Sequence, residues 1–367
     1  MMRRCGKDQV CSQRADVEHR DPEDHRGGFD AVVVGLCLAG AAWTVVCAKA
    51  SSGSSPLGAG LFLAVGVSYS LARAASIRAR WIVPSLLAGG IVVTAWLFRS
   101  DLPSAGPLVG PLHYTNASAA LYLQGTIAAM LLQVVAPKRW LRISGLVAAV
   151  VLGGATLLTN SMAADALLVL AVIVGSCRTQ RWSRVAIASV GCLLVVALST
   201  SVSLGLLYRP CSDDSAVQRI VGQTLSQRRP ALWHDALELM ERYPLTGVGP
   251  GRFQYASPVA RSDRDARWAH NGFLQQGAET GFLGLVIIVA IFGWAFVKLW
   301  TAPRHDGAPA LGSAALGALG IQACIDYVFH FPVLPIVAAA LVGVAVTPGP
   351  VSRSALADER DVEQANA

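Results

Sequence analysis

The feature that most constrains the fold is a series of apolar stretches, each suited to crossing a lipid bilayer. A helix needs about 20 mainly apolar residues to span roughly 30 Å of hydrocarbon. The chain has about ten such stretches, centred near Val34–Val46, Leu61–Leu71, Ile82–Leu97, Ala119–Val134, Leu146–Leu158, Leu167–Val174, Val185–Leu207, Leu283–Val297, Ala315–Val328 and Leu334–Val346. Because lipid offers the backbone no hydrogen-bond partner, each stretch is expected to be an α-helix. The sequence therefore predicts an all-α, polytopic membrane protein.

Composition supports this class. Of 367 residues, 53% are hydrophobic and only 14% are charged, and the mean hydropathy is +0.49. One water-soluble core needs far fewer apolar side chains. The eight cysteines include no close pair with metal-ligand spacing, so we expect neither a zinc site nor a structural disulfide.

Lysine and arginine residues indicate the orientation. They follow the second, fourth, sixth and eighth stretches: Arg73, Arg78, Arg80; Lys138, Arg139, Arg142; Arg178, Arg181, Arg184; Lys298 and Arg304. Because short basic loops stay in the cytoplasm, both termini are predicted to be cytoplasmic. The predicted organisation is a disordered tail at 1–29, seven transmembrane helices at 30–208, a large extracytoplasmic loop with short helices at 209–272, three further transmembrane helices at 273–348, and a disordered tail at 349–367.

The large loop is rich in arginine. Residues 209–272 contain nine arginines and no lysine. The planar guanidinium group suits bidentate binding of phosphate oxygens, which points to a polyanionic ligand. The alternative is that these arginines only keep the loop soluble, since arginine greatly outnumbers lysine throughout the chain.

Two local patterns stand out within this loop. In "RRPALWHDALELMERYPL", apolar residues recur at steps of three and four after Pro230, which predicts a short amphipathic helix ending at Pro244. In "TGVGPGRF", alternating glycines at 247, 249 and 251 leave backbone amides open to close approach. Such a loop can hold an anion or form a plain turn, and the glycines alone do not decide between them.

The order of these motifs resembles a known family. "R-x-x-x-W" at 229–233, "PLTGVGPG-x-F" at 244–253 and "HN" at 270–271, followed after nine residues by "GFLG", are similar to the O-antigen ligase and O-antigen polymerase family of bacterial membrane proteins. The closest resemblance runs from Arg229 to Gly284. "GPLHYTNASAALYLQG" upstream and "IDYVFHFP" downstream support it.

The resemblance implies a metal-independent glycosyltransferase without a cofactor, located in the bacterial plasma membrane. Its reaction would move a glycan from undecaprenyl pyrophosphate to an acceptor hydroxyl at the outer face, with inversion. It implies His270 as general base and Arg229 as the pyrophosphate-binding residue. The expected substrate-binding residues are Arg228, Arg267, Asn271, Trp233, Asn116 and Gly249. Whether the chain is a ligase or a polymerase, and which glycan, lipid or protein accepts the sugar, stay open.

One position departs from the family pattern. Many members carry an arginine in a "T-x-S-R" setting at the outer end of an earlier span, where this chain has Met162. Asp326 and His330 are two further ionisable residues near a predicted outer helix end, and we expect them to pair with each other. Two alternatives to an enzyme stay open: a transporter or flippase for lipid-linked glycans, and a non-catalytic relative with a role in envelope assembly.

Overall fold

The structure is a computed structural model that describes residues 24–99, 110–177, 179–208, 228–262, 266–302 and 306–348, with the backbone only for 24–29. Regular structure in these ranges is entirely helical. The predicted disorder of residues 1–23 and 349–367 lies outside the described residues, and so does the first part of the large loop at 209–227. The first helix as described begins at Asp24, before the predicted tail boundary.

Thirteen α-helices are described. They are α1 Asp24–Ala50, α2 Leu57–Ala79, α3 Ile82–Leu97, α4 Thr115–Val135, α5 Arg139–Leu158, α6 Met162–Gly175, α7 Gln180–Leu207, α8 Arg228–Arg242, α9 Phe253–Ala256, α10 Pro258–Ser262, α11 Gly272–Thr301, α12 Ala308–Ala323 and α13 Val333–Ala345. A single 3-10 turn, Val328–His330, lies between the last two.

Six helices among the described residues are long and apolar enough to cross a membrane, namely α1 from Asp30, α2, α4, α5, α7 and α11. The other four apolar helices, α3, α6, α12 and α13, have 10–17 residues. A 16-residue helix is only about 24 Å long, which is less than the hydrocarbon thickness. The predicted number of ten spans therefore stays a prediction. The ninth stretch is also displaced, because the helix is Ala308–Ala323 rather than a segment centred on Ala315–Val328.

Two helices, α4 and α12, form the centre of the bundle. All but one residue of α12 is buried, and α12 packs against α7, α13, α4 and α6. Its small residues permit this contact: a Cβ added at Gly317 would lie 2.1 Å from the Val190 side chain. Without a hydrophobic force between helices in lipid, close packing of small residues is a main source of association.

One end of the bundle carries an ionic cluster. The Asp30 carboxylate accepts from Arg73, from Lys298 Nζ at 2.8 Å and from the Tyr69 hydroxyl at 2.8 Å. These residues join the first turn of the apolar part of α1 to the second half of α2 and to the last turn of α11. Arg73 and Lys298 both belong to the set of basic residues that predicts the cytoplasmic side, so the structure brings two of them together at one end of the bundle.

The predicted amphipathic helix is present as α8. Its buried face includes Leu232, Trp233, Ala236 and Leu239, and it packs against α7 and α11. Tyr243, which the sequence pattern assigned to the apolar face, is 46% exposed. The helix is thus part of the folded body, at the end of the bundle opposite the Asp30 cluster, because it adjoins the last turns of α7 and the first turns of α11.

Candidate active site

The candidate site lies where the ends of four apolar helices meet. His270 precedes α11, Asp326 follows α12, Asn116 is in the first turn of α4, and Ser161 immediately precedes α6. Hydrogen bonds join all four residues. Since the chain reverses direction at each span, these termini share one end of the bundle, opposite the Asp30 cluster.

The centre of the site is an imidazole–carboxylate pair. His270 Nδ1 lies 3.2 Å from Asp326 Oδ1, and the two side chains are 18% and 4% exposed. Asp326 also accepts from the Tyr114 hydroxyl at 2.7 Å, the Asn116 amide at 2.6 Å and the Tyr327 backbone N–H at 2.8 Å. The carboxylate therefore has a donor for each of its four main acceptor positions.

These contacts determine the charge of Asp326. Burial alone raises its pKa, but the hydrogen bond and charge of His270 and the hydrogen bonds from Tyr114 and Asn116 oppose it and hold the pKa below its usual value. An ionised carboxylate only accepts hydrogen bonds, so the proton of a neutral His270 ring must be on Nδ1. Its lone pair is then on Nε2, which makes no hydrogen bond within the described residues.

The backbone around His270 is held in an unusual conformation. His270 has φ of +49°, in the left-handed region that non-glycine residues rarely adopt. The Trp233 indole donates to the His270 carbonyl at 3.3 Å, and the Gln275 side chain accepts from Ala269 N–H at 3.1 Å. Such backbone strain persists only where surrounding contacts over-determine it, and it is common at functional sites.

Asn271 is the N-cap of α11. Its Oδ1 accepts from the N–H groups of Phe273 and Leu274 at 3.1 and 3.0 Å, and its Nδ2 donates to Ser201 Oγ and the Cys324 carbonyl. The residue is fully buried. A side chain in this position caps the helix and aligns the neighbouring imidazole, and it has no hydrogen-bonding group left for a substrate.

Trp233 also lies inside the protein rather than on a binding surface, since it is 1% exposed and belongs to a small core between α8 and α11. Its structural role is to support the His270 carbonyl. Arg229 is one helical turn earlier, so the two side chains project from the same face of α8. Arg229 is half-buried. Arg228 and Arg267 are exposed near the same segment of the fold.

Asn116 links the pair to the position of the missing family arginine. Its Oδ1 accepts from Ser161 Oγ at 3.0 Å while its Nδ2 donates to Asp326. Ser161 is buried, whereas the next residue, Met162, begins α6 and is 87% exposed. The side chain of Met162 therefore lies at the edge of the site with no role in its hydrogen-bond network.

The glycine loop binds a carboxyl group that belongs to the chain itself. Gly251 N–H donates to Glu279 Oε2 at 2.9 Å and Phe253 N–H donates to Oε1 at 3.3 Å, while Gly249 N–H donates to the Glu279 carbonyl. The turn of Ser51 and Ser54 also covers Gly249. The expectation that Gly249 contacts a substrate anion is corrected by this packing, because Glu279 and the end of the first α11 segment occupy its amides.

This loop also explains the glycines of the "GFLG" motif. Gly281 has φ of +72° and interrupts α11, and a Cβ placed on it would lie 2.0 Å from the Leu245 carbonyl oxygen. A Cβ on Gly247 would lie 2.4 Å from the Glu279 backbone. The two glycines let the loop backbone rest directly on the α11 backbone at the kink, which fixes the segment carrying His270.

A known family matches part of this chain. Residues 147–289 match the family model described as O-antigen ligase, which is less than half of the chain. No curated protein matches the chain. The matched segment includes Arg229, His270 and Glu279, whereas the partners Tyr114, Asn116 and Asp326 lie outside it.

The expected pairing of Asp326 with His330 is wrong, because Asp326 bonds to His270 instead. His330 Nε2 lies 3.2 Å from Gln275 Nε2, and its ring lies 4.0 Å from that of Trp268. Among the described residues, no group of three or more His, Cys, Asp or Glu side chains converges to hold a metal ion. Metal independence stays a prediction, which a chelator can test.

Sequence reasoning missed several residues of the site. Tyr114 and Ser161 carry no distinctive motif of their own, and only their positions beside a helix start mark them. Glu279 was detectable in principle, since it is an acidic residue close to a long apolar run. An ionisable residue near membrane depth is expected to have a polar partner. The partner of Glu279 is the glycine loop.

Proposed function

We propose that this protein is a membrane glycosyltransferase of the O-antigen ligase type. It moves a glycan from an undecaprenyl-pyrophosphate carrier to an acceptor hydroxyl at the outer face of the bacterial plasma membrane. The observation that carries the proposal is the His270–Asp326 pair: an ionised carboxylate orients the imidazole of a histidine inside the segment matched to the O-antigen ligase family, and Nε2 of that imidazole makes no hydrogen bond within the described residues.

The reaction balances with these groups. The acceptor hydroxyl oxygen forms a bond to the anomeric carbon of the donor sugar, and the bond from that carbon to the pyrophosphate oxygen breaks. The leaving pyrophosphate takes the electron pair, and His270 Nε2 takes the hydroxyl proton. Asp326 stabilises the imidazolium that forms and keeps the ring in the required tautomer, the role a buried carboxylate has beside other catalytic histidines.

Arg229 provides the charge for the leaving group. The pyrophosphate gains negative charge as its bond to the sugar breaks, and a fixed guanidinium in a partly dry site stabilises such charge more effectively than one in water. Arg229 is half-buried and shares a helix face with Trp233, which bonds to the His270 carbonyl. Arg228 and Arg267 are further candidates for phosphate contacts.

The fold suits a donor that is dissolved in lipid. The apolar helices expose side chains on their outer faces, including Leu86, Val150 and Val196 at 69%, 68% and 60% exposure. A prenyl chain can lie along such faces while its pyrophosphate reaches the polar end. With both termini in the cytoplasm, this end faces outward, where a water-borne acceptor arrives.

The test is glycan transfer in proteoliposomes from an undecaprenyl-pyrophosphate-linked donor, with a chelator present. His270→Ala and Arg229→Ala are compared with wild type at matched folded amounts. Loss of the general base is expected to lower kcat by about 10²- to 10⁴-fold, and Arg229→Ala is expected to reduce transfer strongly. The matched control is Arg242→Ala on the same helix, because the Arg242 side chain is 63% exposed and pairs with the exposed Glu238, so its loss should not matter.

The outcomes separate the alternatives. Wild-type transfer rates in both site variants would refute the assigned roles. Movement of the intact lipid-linked glycan across the bilayer without transfer would identify a transporter. Absence of both activities across several acceptors, with the folded protein unchanged, would support a non-catalytic assembly role, for which the exposed Met162 in place of an arginine is the relevant departure.

A further inference from the structure

A cluster of partly exposed aromatic rings adjoins the imidazole. Tyr114 and Tyr327 stack with centroids 4.8 Å apart, and Phe331 stacks on Tyr114 at 5.8 Å with an interplanar angle of 2°. Trp268 lies 6.3 Å from Tyr327. We call these four residues the aromatic platform. These residues come from three segments of the chain, which lie before α4, before α11 and between α12 and α13. The platform is therefore formed by the tertiary fold and not by a local sequence pattern.

The platform is only partly buried, unlike the other large aromatics nearby. Each of its four residues is half-buried, whereas Trp233, Phe253 and Phe273 are at most 1% exposed. One of its rings contacts the proposed base directly: the His270 ring lies edge-on to Tyr327 with centroids 4.9 Å apart, and the Tyr114 hydroxyl donates to Asp326. The partly exposed cluster therefore adjoins the His270–Asp326 pair.

These properties point to a particular chemistry. Aromatic faces carry partial negative charge, and the axial C–H groups on one face of a pyranose carry partial positive charge, so the two surfaces attract while both are removed from water. The Trp268 indole N–H makes no hydrogen bond within the described part of the chain and is available to a sugar hydroxyl. A lipid tail has no polar group that could accept a hydrogen bond from this N–H.

A simple interfacial anchor is the main competing role, since tryptophan and tyrosine collect at membrane–water boundaries. Single exposed rings of that kind occur elsewhere in this chain: Trp96, Trp140 and Trp182 are each 59% exposed. The platform differs because its rings stack on one another across distant segments and because one of them, Tyr327, contacts His270.

We propose that the aromatic platform binds the apolar face of a pyranose ring, and that this ring belongs to the acceptor. The proton-accepting Nε2 must reach the attacking hydroxyl, so the sugar bearing that hydroxyl lies against the adjoining surface. The assignment to the acceptor rests on the proposed function; binding of a pyranose does not. The acceptor class is accordingly a glycan rather than an unglycosylated lipid or protein.

The first experiment needs no transfer. Full-length protein in nanodiscs is applied to an array of neutral pyranose oligosaccharides, comparing wild type, Trp268→Leu, Trp268→Phe and the control Trp182→Leu. We expect wild type and the control to bind the same glycans, Trp268→Leu to lose binding about threefold to tenfold, and Trp268→Phe to retain part of it. Equal binding by Trp268→Leu, or no binding by wild type, would overturn the proposal.

The second experiment measures transfer with the same variants. The KM for the acceptor is expected to rise about threefold to tenfold in Trp268→Leu, with the donor KM unchanged. A rise in the donor KM alone would overturn the assignment to the acceptor and show the platform to be a donor subsite. Glycan binding without transfer in wild type would refute the proposed function and leave the platform standing.

Discussion

Replacing Asp326 by asparagine isolates the role of the carboxylate, because the amide has almost the same shape. Asp326 accepts four hydrogen bonds, from His270, Tyr114, Asn116 and the Tyr327 backbone. An amide has one accepting oxygen and one donating nitrogen. Asp326→Asn therefore cannot satisfy all four donors in either orientation of the new side chain.

The two orientations have different consequences. If the amide oxygen faces His270 and Tyr327, the amide nitrogen opposes the Asn116 amide, whose own oxygen is already bonded to Ser161. If the amide is reversed, its nitrogen opposes the Tyr327 N–H and donates to His270 Nδ1, which moves the imidazole proton to Nε2. In both cases at least one buried donor loses its acceptor, at a cost of about 1–3 kcal/mol in stability.

The expected effect on catalysis is larger than the effect on stability. The reversed amide removes the base, and the other orientation removes the charge that stabilises the imidazolium. Both orientations impair general base catalysis, which typically raises the rate by about 10²- to 10⁴-fold. This factor is equivalent to about 2.7–5.4 kcal/mol in activation free energy. We expect kcat for glycan transfer to fall by this factor, with the donor KM little changed.

The assay is transfer in proteoliposomes at saturating donor and acceptor, normalised to folded protein. Asp306→Asn is the matched control: it removes the carboxylate that pairs with the buried Arg80 at the other end of the bundle. That control should lose stability and keep kcat. If Asp326→Asn keeps wild-type kcat while folded, the carboxylate does not assist His270 and the reasoning is refuted.

Three further predictions concern stability and pH. Glu279→Gln should lower the apparent Tm, because the amide cannot accept from both Gly loop N–H groups and Gln275, at a cost of about 1–3 kcal/mol; Glu238→Gln, in an exposed ion pair, should cost at most about 0.5 kcal/mol. Gly281→Ala should abolish stable folding by size-exclusion chromatography, since it combines positive φ with a carbonyl contact, whereas Gly293→Ala in open space should be tolerated. The pKa of Asp326 is lowered in the folded state, so the ionised carboxylate stabilises the fold above the unfolded pKa of about 3.9, and this contribution is lost as pH falls through the folded pKa. The Tm difference between wild type and Asp326→Asn should therefore become smaller at pH values below the folded pKa. A Tm difference that does not change with pH would contradict the ionised state of Asp326.

The sequence predicts the class of fold and part of the site for clear physical reasons. Long apolar runs have no stable alternative to helices in lipid, and the periodicity after Pro230 is enough to identify α8. The histidine and Arg229 could be named from their motif. The partner of His270 could not be named from the sequence, because Asp326 is 56 residues away from it along the chain. In sequence, His330 is much closer to Asp326 and is therefore the expected partner of that carboxylate.

The glycine loop shows a different limit. Alternating glycines predict backbone amides that are free to donate, and in the structure two amides of the loop donate to the Glu279 carboxyl group. The sequence pattern carries no information on whether the acceptor is a ligand or a side chain of the same protein. In the structure the acceptor is Glu279, which precedes the kink at Gly281 in α11 and accepts from the Gly251 N–H.

The short helices and the polar site have a common explanation. Three of the four short apolar helices have one end at the site: α6 starts just after Ser161, α12 ends just before Asp326, and α13 starts just after Phe331. Non-helical backbone at membrane depth is tolerated only where protein or water satisfies its polar groups. Here the described side chains supply that environment, since Tyr327 N–H donates to Asp326 and Ser161 donates to Asn116. The segments between these helix ends are therefore where the His270–Asp326 pair forms, and a variant that extended α12 through Asp326 should lose the pair without losing the bundle.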